Sequence, residues 1–372
     1  MMLNKRTVGE GGAMNLQALI ATAPSWLSGE DDTAGIVISC RARLARNVTS
    51  YPFGAKITED EQAQVVASVL AAAKGCKHMS SATFYNMELL DKNERRLLVE
   101  RHLISPNLAD AKGQRGVLFN SDESLSVMIN EEDHLRIQAI SPGLQVAGAW
   151  GKANALDDEL ALNLECSYSD DLGFLTACPT NTGTGLRLSV LMHLPALVLT
   201  EDMERVLQGL TQMSFTVRGV YGEGTNAAGN LFQVSNQSTL GQSEQDIVEG
   251  LLGVAGKLVD YERDGQETLL GEARAQVEDK VWRALGLLSS ARVLSSQEFM
   301  NLLSAVRLGL SLSLIRSLPS RFVNQLMIVT QPAHLQAEAG QRLEPDERDF
   351  RRAMIVRRKL EEADAHGEER SA

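Results

Sequence analysis

A short run of acidic residues interrupts an apolar segment of the sequence. Glu131, Glu132 and Asp133 lie between apolar stretches and are followed by His134 and Arg136. Carboxylates packed among apolar side chains cannot all stay dry, because an unpaired buried carboxylate is costly and tends to take up a proton instead. The run therefore either binds a cationic partner or forms a solvated acidic turn between two strands.

Several short motifs each contain an arginine. Arg41 and Arg43 are two residues apart, so on an extended strand they project from the same face. Two guanidinium groups on one face repel unless an anion lies between them, although a basic edge strand that resists aggregation would show the same spacing. The remaining arginines of this kind are Arg136, Arg187 and Arg218. A nucleoside triphosphate with Mg²⁺ is the natural ligand for such a group.

A loop rich in glycine and threonine runs from Cys178 to Arg187. It is not a phosphate-binding P-loop, because it lacks the Lys-Ser/Thr ending, and the chain has no other such motif. The HRD and DFG motifs of ordinary protein kinases are also absent from the sequence. We expect a flexible loop that brings Thr184 and Arg187 beside Cys178, with a plain connecting loop as the alternative.

The acidic residues predict a negatively charged pocket beside the group of arginines. Glu131, Glu132 and Glu223, with Cys178 as a thiolate, would surround a guanidinium or ammonium group. A donor phosphate beside a cation-binding acid cluster implies phosphoryl transfer to a basic nitrogen.

The elements that must position these residues are strands followed by helices. Period-two patterns and turn residues predict strands at 36–38, over 115–150, at 174–176, at 214–218 and at 230–236. Helical patterns predict helices at 58–74, capped by Thr58, at 93–102 and at 156–165. Beyond about residue 241 the pattern becomes helical throughout, and a last helix begins at Pro345. On that helix Arg348 and Arg352 share a face and could clamp one anion, although matching of charge to the helix dipole explains the order as well.

Composition is that of an ordinary globular protein. The chain has 372 residues, of which 44% are hydrophobic and 23% charged, with a net charge of −12. The length suggests roughly two domains, and the acidic balance argues against a general nucleic-acid binder. Arginine outnumbers lysine by 26 to 10, which fits bidentate anion recognition, although codon usage could also produce it.

The cysteines and the apolar runs indicate the compartment. The four cysteines show no CxxC pair and no metal-ligand spacing with histidine, so we expect reduced thiols in a cytosolic protein. No run of about 18 apolar residues and no signal peptide is present, so we expect no membrane segment. Residues 1–14 read as a leader, with Met14 as an alternative start.

Three motifs resemble those of the ATP:guanido phosphotransferases, the group of creatine and arginine kinases: SCRARLARN at 39–47, NEEDHLR at 130–136 and CPTNTGTGLR at 178–187. Three others resemble the bacterial protein-arginine kinase branch of that family: RGVYGEG at 218–224, GNLFQVSNQSTLG at 229–241 and RDFRRA at 348–353. The resemblance spans about residues 36–358, with the motifs in order. Only 38 residues precede the first motif, where the metabolite kinases have a helical domain.

The resemblance implies an α+β fold. The catalytic domain, expected at 36–241, would have a central antiparallel sheet flanked by helices, as in guanidino kinases. An all-helical C-terminal domain would occupy 242–360, preceded by a leader and first helix at 1–35 and followed by a disordered tail at 361–372.

The resemblance also assigns roles to residues. Glu132 would be the general base, with Glu131 beside it, Glu223 as the second carboxylate on the guanidinium and Cys178 next to the substrate nitrogens. The nucleotide would contact Ser39, Cys40, Arg41, Ala42, Arg43, His102, Arg136, Arg187, Leu188, Ser189, Val190, Leu191, Arg218, Gly219, Val220, Tyr221, Gly222 and Glu223. An allosteric phosphoarginine site would consist of Arg348, Asp349, Phe350, Arg351, Arg352 and Ala353.

Two positions depart from the family pattern without removing a catalytic group. Cys40 stands where serine is common, and Leu188 stands where a small residue is common.

The activity implied is ATP- and Mg²⁺-dependent phosphorylation of arginine residues in proteins, which marks them for regulation or Clp-type degradation. The rivals are a kinase for free arginine or another small guanidine, and a catalytically silent adaptor that binds phosphoarginine. The family further implies a homodimer in the bacterial cytoplasm that acts on proteins with exposed arginines. Its implied partners are a stress-response repressor, an activator protein and a Clp ATPase, with neither nucleic acid nor membrane.

Overall fold

The computed structural model describes residues 16–29, 33, 35–219 and 227–371. Its strands are β1 Val37–Arg46, β2 Thr83–Asn86, β3 Gly116–Phe119, β4 Leu125–Ile129, β5 Leu135–Pro142, β6 Tyr168–Ser169, β7 Gly173–Phe174, β8 Leu186–His193, β9 Phe215–Gly219 and β10 Leu231–Asn236. Its first helices are α1 Leu16–Ala21, α2 Glu59–Ala73, α3 Lys92–Glu100, α4 Pro106–Asp110, α5 Val146–Ala161, α6 Pro195–Leu199 and α7 Met203–Gln212. The later helices are α8 Glu244–Glu272, α9 Arg274–Ser290, α10 Ser296–Ser311, α11 Ser320–Val329, α12 Pro332–Ala339 and α13 Pro345–Ser371.

Eight of the strands form one antiparallel sheet in the order β2-β3-β4-β5-β1-β8-β10-β9, and β6 pairs with β7 in a separate hairpin. Strand β1 lies near the centre, where Arg43 is opposite Gln138 of β5 and Arg187 of β8. The register therefore brings arginines from separate motifs to adjacent positions on one face. The expected central antiparallel sheet flanked by helices is confirmed.

The two faces of β1 differ because successive side chains of a strand point to opposite sides. Cys40, Ala42 and Leu44 are buried in an apolar core that includes side chains of α2, α5 and α8. Arg41 and Arg43 project from the other face. Alternation along one strand thus anchors the sheet on one side and presents cations on the other.

A second apolar core joins the later helices to the sheet. Side chains of α9, α10, α11 and α13 pack with Ile38 and Ile140, on the strands that carry the arginines. Helix α8, by contrast, packs with the sheet, because Ile247, Leu251 and Leu258 belong to the first core. The domain division at residue 241 stays a prediction, and the packing groups α8 with the strands.

Local signals in the sequence account for several element ends. Thr58 caps α2 in a capping box with Glu61, as predicted, and Asp91 and Glu94 form the same motif at α3. No helix in the described part of the chain is long and apolar enough to cross a membrane.

Three boundary predictions were wrong. Strand β1 runs unbroken through the segment where we expected it to end, because β5 and β8 pair with it on both sides. Residues 146–161 form α5, although strands were expected up to 150 and a helix only from 156, since its apolar face packs on the sheet. We expected a disordered tail from residue 361, but helix α13 continues to Ser371. Glutamate and alanine in this segment favour a helix, and Arg358 pairs with Glu362 one turn further along.

Candidate active site

The pocket lies where the acidic turn, the Gly/Thr-rich loop and the arginine face of the sheet meet. Its volume is about 170 Å³. Its lining brings together side chains from three separate motifs, namely Arg43, Glu132, Arg136, Cys178 and Arg187. A basic wall and an acidic group therefore border the same space.

The two adjacent glutamates of the turn have different environments. The Glu131 side chain is 1% exposed and accepts hydrogen bonds from Arg136 Nη1 at 2.8 Å and Ser105 Oγ at 2.6 Å. Its Oε2 also accepts from the backbone N–H of Glu132 at 2.6 Å. The Glu132 side chain is 45% exposed and only 3.3 Å from Arg136 Nη2. Glu131 thus orients the turn and Arg136, while Glu132 faces the pocket.

Burial raises the pKa of Glu132. The positive charge of Arg136 opposes this shift, and the negative charges of Asp133 and Glu131 add to it. A carboxylate with a raised pKa is a stronger base while it stays ionised at neutral pH. Glu132 therefore combines access to the pocket with a raised basicity.

Asp133 ties the acidic turn to the Gly/Thr-rich loop. It is 1% exposed, and its Oδ1 accepts from Asn47 Nδ2 at 2.7 Å and from the backbone N–H of Ala177 at 2.6 Å. Asn47 in turn accepts from the backbone N–H of His134 at 2.9 Å. Ala177 immediately precedes Cys178, so the position of the thiol depends on this buried carboxylate.

Several donors on the arginine face, the side of the sheet that carries Arg41, Arg43 and Arg187, have no hydrogen-bond partner among the described residues. The Nε atoms of Arg41, Arg43 and Arg187 are buried and have no partner among the described residues. Burial, together with the charges of Arg136 and Arg187, lowers the pKa of Arg41 to about 10. Burial also lowers the pKa of Arg43 and of Arg187. A group of crowded guanidinium cations with unused N–H donors fits the binding of a polyanion such as the phosphates of ATP.

Arg218 completes this face from the edge strand. It lies on β9 opposite Gln233, is exposed, and its charge contributes to the lowered pKa of Arg187. The neighbouring Ser235 accepts a hydrogen bond from Arg187 Nη2 at 3.3 Å. All five arginines expected from the sequence thus lie along the β5-β1-β8-β10-β9 part of the sheet.

His102 lies beside the arginine face in a strained backbone conformation. Its φ is +62°, and its carbonyl accepts from Gln138 Nε2 at 2.7 Å. The ring stacks on Trp26 with centroids 4.9 Å apart. Burial lowers the ring pKa to about 3, with a smaller contribution from Arg41, so the imidazole is neutral at physiological pH. A neutral ring stacked on an indole offers a flat surface at this position.

The Gly/Thr-rich loop is hydrogen-bonded along its length instead of hanging free. Thr239 Oγ1 donates to the carbonyls of Thr180 and Thr182 at 3.0 and 2.7 Å. Gly183 exchanges two backbone hydrogen bonds with Phe174 of the β6–β7 hairpin. Gly183 has φ +113°, and a Cβ there would lie 2.4 Å from the Thr239 carbonyl oxygen. Glycine is required because only it tolerates both this conformation and this approach.

Some residues implied as nucleotide contacts have side chains that point elsewhere. Cys40, Ala42, Leu188 and Val190 are in the apolar core on the opposite face of the sheet, and Leu191 is in the second core. Ser39 and Ser189 are buried, and Ser189 Oγ accepts from Gln233 Nε2. Gly219 ends β9. The predicted contacts Val220, Tyr221, Gly222 and Glu223 lie outside the described residues.

The C-terminal motif does not form the expected clamp in this structure. Arg352 is 1% exposed and donates to the carbonyls of Thr330 and Leu294 and to Asp349 Oδ1. Arg348 donates to the Leu343 carbonyl at 2.9 Å. The neighbouring Phe350 is 54% exposed, Arg351 pairs with Glu338, and Ala353 is in the second core. The two arginines therefore hold separate backbone carbonyls.

Sequence reasoning missed the residues that support this site. Ser105, Asn47 and Thr239 hold the glutamate, the aspartate and the loop, and Trp26 stacks on His102. Asn47 and Thr239 were inside quoted motifs, so their motif membership was a usable signal. Nothing in the local sequence marks Ser105 or Trp26, whose partners are distant along the chain.

Comparison with protein families gives two matches in sequence order. A model described as "ATP:guanido phosphotransferase, C-terminal catalytic domain" matches residues 64–265. A model described as "Protein-arginine kinase McsB C-terminal domain" matches residues 274–371. The first match contains β2 to β10 together with most of α8, in agreement with the packing of α8 on the sheet.

Curated relatives match over nearly the whole chain. The protein-arginine kinase of Moorella thermoacetica is 48% identical, over 90% of this chain and 97% of that protein. The protein-arginine kinase of Symbiobacterium thermophilum is 44% identical, over 93% of this chain and 99% of that protein.

Solved structures with the same fold include a lombricine kinase, with 27% identity and a TM-score of 0.55 over 70% of this chain and 72% of that one. The duplicated taurocyamine kinase of Schistosoma mansoni, with bound components of a transition-state analogue, has 24% identity and a TM-score of 0.58. That match covers 79% of this chain and 41% of the duplicated kinase, and it shows the fold alone.

Proposed function

The chain belongs to the ATP:guanido phosphotransferase family, and from this premise we propose that it transfers the γ-phosphoryl group of ATP to the guanidinium of arginine residues in proteins. One observation carries the proposal: the half-exposed carboxylate of Glu132 and the thiol of Cys178 line the same pocket as Arg43, Arg136 and Arg187. Protein-arginine kinases are also the curated relatives that match most of its length.

The acidic side of the pocket fits the acceptor. A guanidinium is a poor nucleophile, because its lone pairs are delocalised and its pKa is above about 12. Glu132 orients one edge of the guanidinium and accepts a proton as the nitrogen attacks the γ-phosphorus, while the bond from that phosphorus to the bridging oxygen breaks and ADP leaves. Glu223 is proposed as the second carboxylate, and Cys178 as a further group next to the substrate nitrogens.

The basic side fits the donor. The unpartnered Nε atoms of Arg41, Arg43 and Arg187 would donate to phosphate oxygens, and Arg136 and Arg218 would add charge on either side. Because these cations are held by a sheet, they are in place before charge develops in the transition state. His102, stacked on Trp26, is proposed to contact the nucleotide.

Mg²⁺ is proposed as the metal that accompanies ATP. Within the described residues, no group of three or more His, Cys, Asp or Glu side chains is arranged to hold a metal ion. Mg²⁺ bound with a nucleotide is usually held by phosphate oxygens, waters and only one or two carboxylates, so it needs no such group of side chains. When bound it would neutralise part of the charge on the phosphates.

The RDFRRA motif is proposed to bind phosphoarginine and regulate the kinase. In this structure Asp349 and Arg352 are paired, and Arg348 holds a carbonyl. To bind there, a phosphoarginine would have to replace the Leu343 carbonyl as the partner of Arg348. The guanidinium of the phosphoarginine would then lie next to Asp349. Loss of phosphoarginine activation in Arg348→Ala with Asp349→Ala would support the site, and intact activation would contradict it.

The cellular setting is proposed from the family resemblance. We propose a homodimer in the bacterial cytoplasm that acts on exposed arginines of client proteins. A stress-response repressor, an activator protein and a Clp ATPase are the proposed partners.

Incubation with Mg-ATP and an arginine-rich unfolded protein tests the activity. Phosphate should be found on arginine by mass spectrometry under non-acidic conditions and should be lost in Glu132→Ala. Transfer only to added free arginine would indicate a kinase for small guanidines. Absence of transfer, with phosphoarginine still bound, would indicate the silent adaptor.

A further inference from the structure

A second cavity lies on the outer side of the Gly/Thr-rich loop. It has a volume of about 300 Å³ and is formed by the β6–β7 hairpin, the loop and the residues that precede α8. We call it the shelf and define it by six of its lining residues: Tyr168, Asp171, Leu172, Phe174, Leu240 and Glu244. None of these residues has a part in the chemistry described above.

One loop forms a wall of both cavities. Asn181 lines the active-site pocket, and Gly183 lines the shelf. Residues two apart have Cα atoms at most about 7 Å apart, which is also the span of two residues of an extended peptide. A polypeptide whose arginine enters the pocket would therefore reach the shelf with residues only a few positions away.

The shelf is built as one unit with the active-site loop. The backbone exchange between Gly183 and Phe174 joins the hairpin to the loop, and Thr184 N donates to the Thr239 carbonyl at 3.2 Å. Tyr168 packs edge-on against Phe174, with ring centroids 5.3 Å apart. The surface is thus held in a fixed position relative to Cys178.

The shelf exposes apolar side chains that nothing covers in the described part of the chain. Tyr168 is 58% exposed, Leu172 47% and Leu240 50%. Single exposed apolar residues are ordinary, but a cluster around a cavity marks a surface for binding.

The charge of the shelf indicates what it binds. Its lining includes Asp171 and Glu244 and, among the described residues, no lysine or arginine. Asp171 is exposed, whereas Glu244 accepts a hydrogen bond from Trp150 Nε1 at 2.7 Å. An apolar floor beside acids is complementary to an extended peptide that carries apolar and basic residues.

We propose that the shelf binds the substrate polypeptide next to the target arginine and favours apolar and basic flanking residues. The proposal rests on the proposed function and deepens it, because a kinase for free arginine would have no use for this surface. Binding there adds affinity for a polypeptide acceptor and leaves the chemistry at the guanidinium unchanged.

Two acceptors and two shelf variants test the proposal. The acceptors are a peptide with one arginine flanked by leucine and lysine, and the small acceptor N-acetyl-arginine amide. The shelf variants are Leu172→Ser with Leu240→Ser, and Asp171→Lys. The matched controls are Leu162→Ser, at a side chain 82% exposed, and Asp260→Lys, at an exposed residue of α8.

The double variant should lower kcat/KM for the peptide by roughly tenfold, because two partly buried leucine contacts are lost. Asp171→Lys should lower it by about threefold, and the loss should shrink at high salt. Transfer to the small acceptor, and all values for the controls, should stay at the wild-type level.

Three outcomes would overturn the proposal, and each is distinct. Wild-type values for the peptide in both shelf variants would show that the shelf does not bind substrate. An equal loss with both acceptors would show that the substitutions act through the catalytic loop. Transfer by the wild-type enzyme to the small acceptor alone would refute the proposed function, and this proposal with it.

Discussion

Substitution of Asp133 separates its role as an anchor from its role as a charge. In Asp133→Ala, the backbone N–H of Ala177 and the amide of Asn47 lose their shared acceptor in a buried site. Each hydrogen bond to a charged group contributes about 1.5–3 kcal/mol, so we expect a loss of about 3–5 kcal/mol in the free energy of unfolding. Transfer activity should fall as well, because Ala177 positions Cys178.

Asp133→Asn keeps the anchor and removes the charge. The amide oxygen can accept both hydrogen bonds, and its NH₂ would replace Oδ2, which has no partner among the described residues. We expect a loss of less than about 1.5 kcal/mol in stability. Because the charge of Asp133 helps to raise the pKa of Glu132, its removal should lower that pKa. The acidic limb of the pH profile of kcat/KM should then move to lower pH.

Urea unfolding and pH–rate profiles of both variants provide the test, with Asp260→Asn on the exposed face of α8 as the control. A stability of Asp133→Ala within about 0.5 kcal/mol of wild type would refute the anchor. An acidic limb that stays in place or moves to higher pH in Asp133→Asn would refute the proposed effect of its charge on Glu132.

Two further predictions concern stability. Arg46 is 2% exposed and donates to Asp157 Oδ2 at 3.0 and 2.7 Å, so Arg46→Ala should lower the free energy of unfolding by about 3–5 kcal/mol. As a control, Arg205→Ala removes an ion pair whose arginine is 83% exposed and should change that free energy by less than about 0.5 kcal/mol. Equal effects in urea unfolding would contradict this burial argument. Gly183→Ala places a methyl group 2.4 Å from the Thr239 carbonyl oxygen and should lower both stability and kcat/KM. As a control, Gly151 lies inside α5, where an added Cβ would meet no atom within 4 Å, so Gly151→Ala should stabilise the protein by about 0.5–1 kcal/mol. Unchanged activity in Gly183→Ala would show that the loop tolerates the clash.

The arginine face could be predicted because it depends on a local rule. Arg41 and Arg43 share a face through the two-residue period of a strand, and the structure places them there. The cap of α2 is likewise local, because the capping box needs only Thr58 and Glu61, three residues apart. Such features need no knowledge of distant contacts.

The supporting contacts could not be predicted in the same way. Ser105 meets Glu131 and Asn47 meets Asp133 only because the sheet brings separate segments together. Arg352 was expected to bind an anion, but its donors bind the carbonyls of Thr330, just after α11, and Leu294, just before α10, which helical spacing cannot reveal. The extent of α5 was missed because its apolar residues pack on a sheet that its own sequence does not specify.

The most direct measurement is single-turnover phosphoryl transfer to an arginine peptide by the wild-type enzyme and by Glu132→Gln, together with a titration of ATP binding. If Glu132 is the base beside a preformed arginine face, the variant should bind ATP with an unchanged affinity and transfer phosphate about 10²–10⁴ times more slowly. Transfer by Glu132→Gln at the wild-type rate would contradict the account.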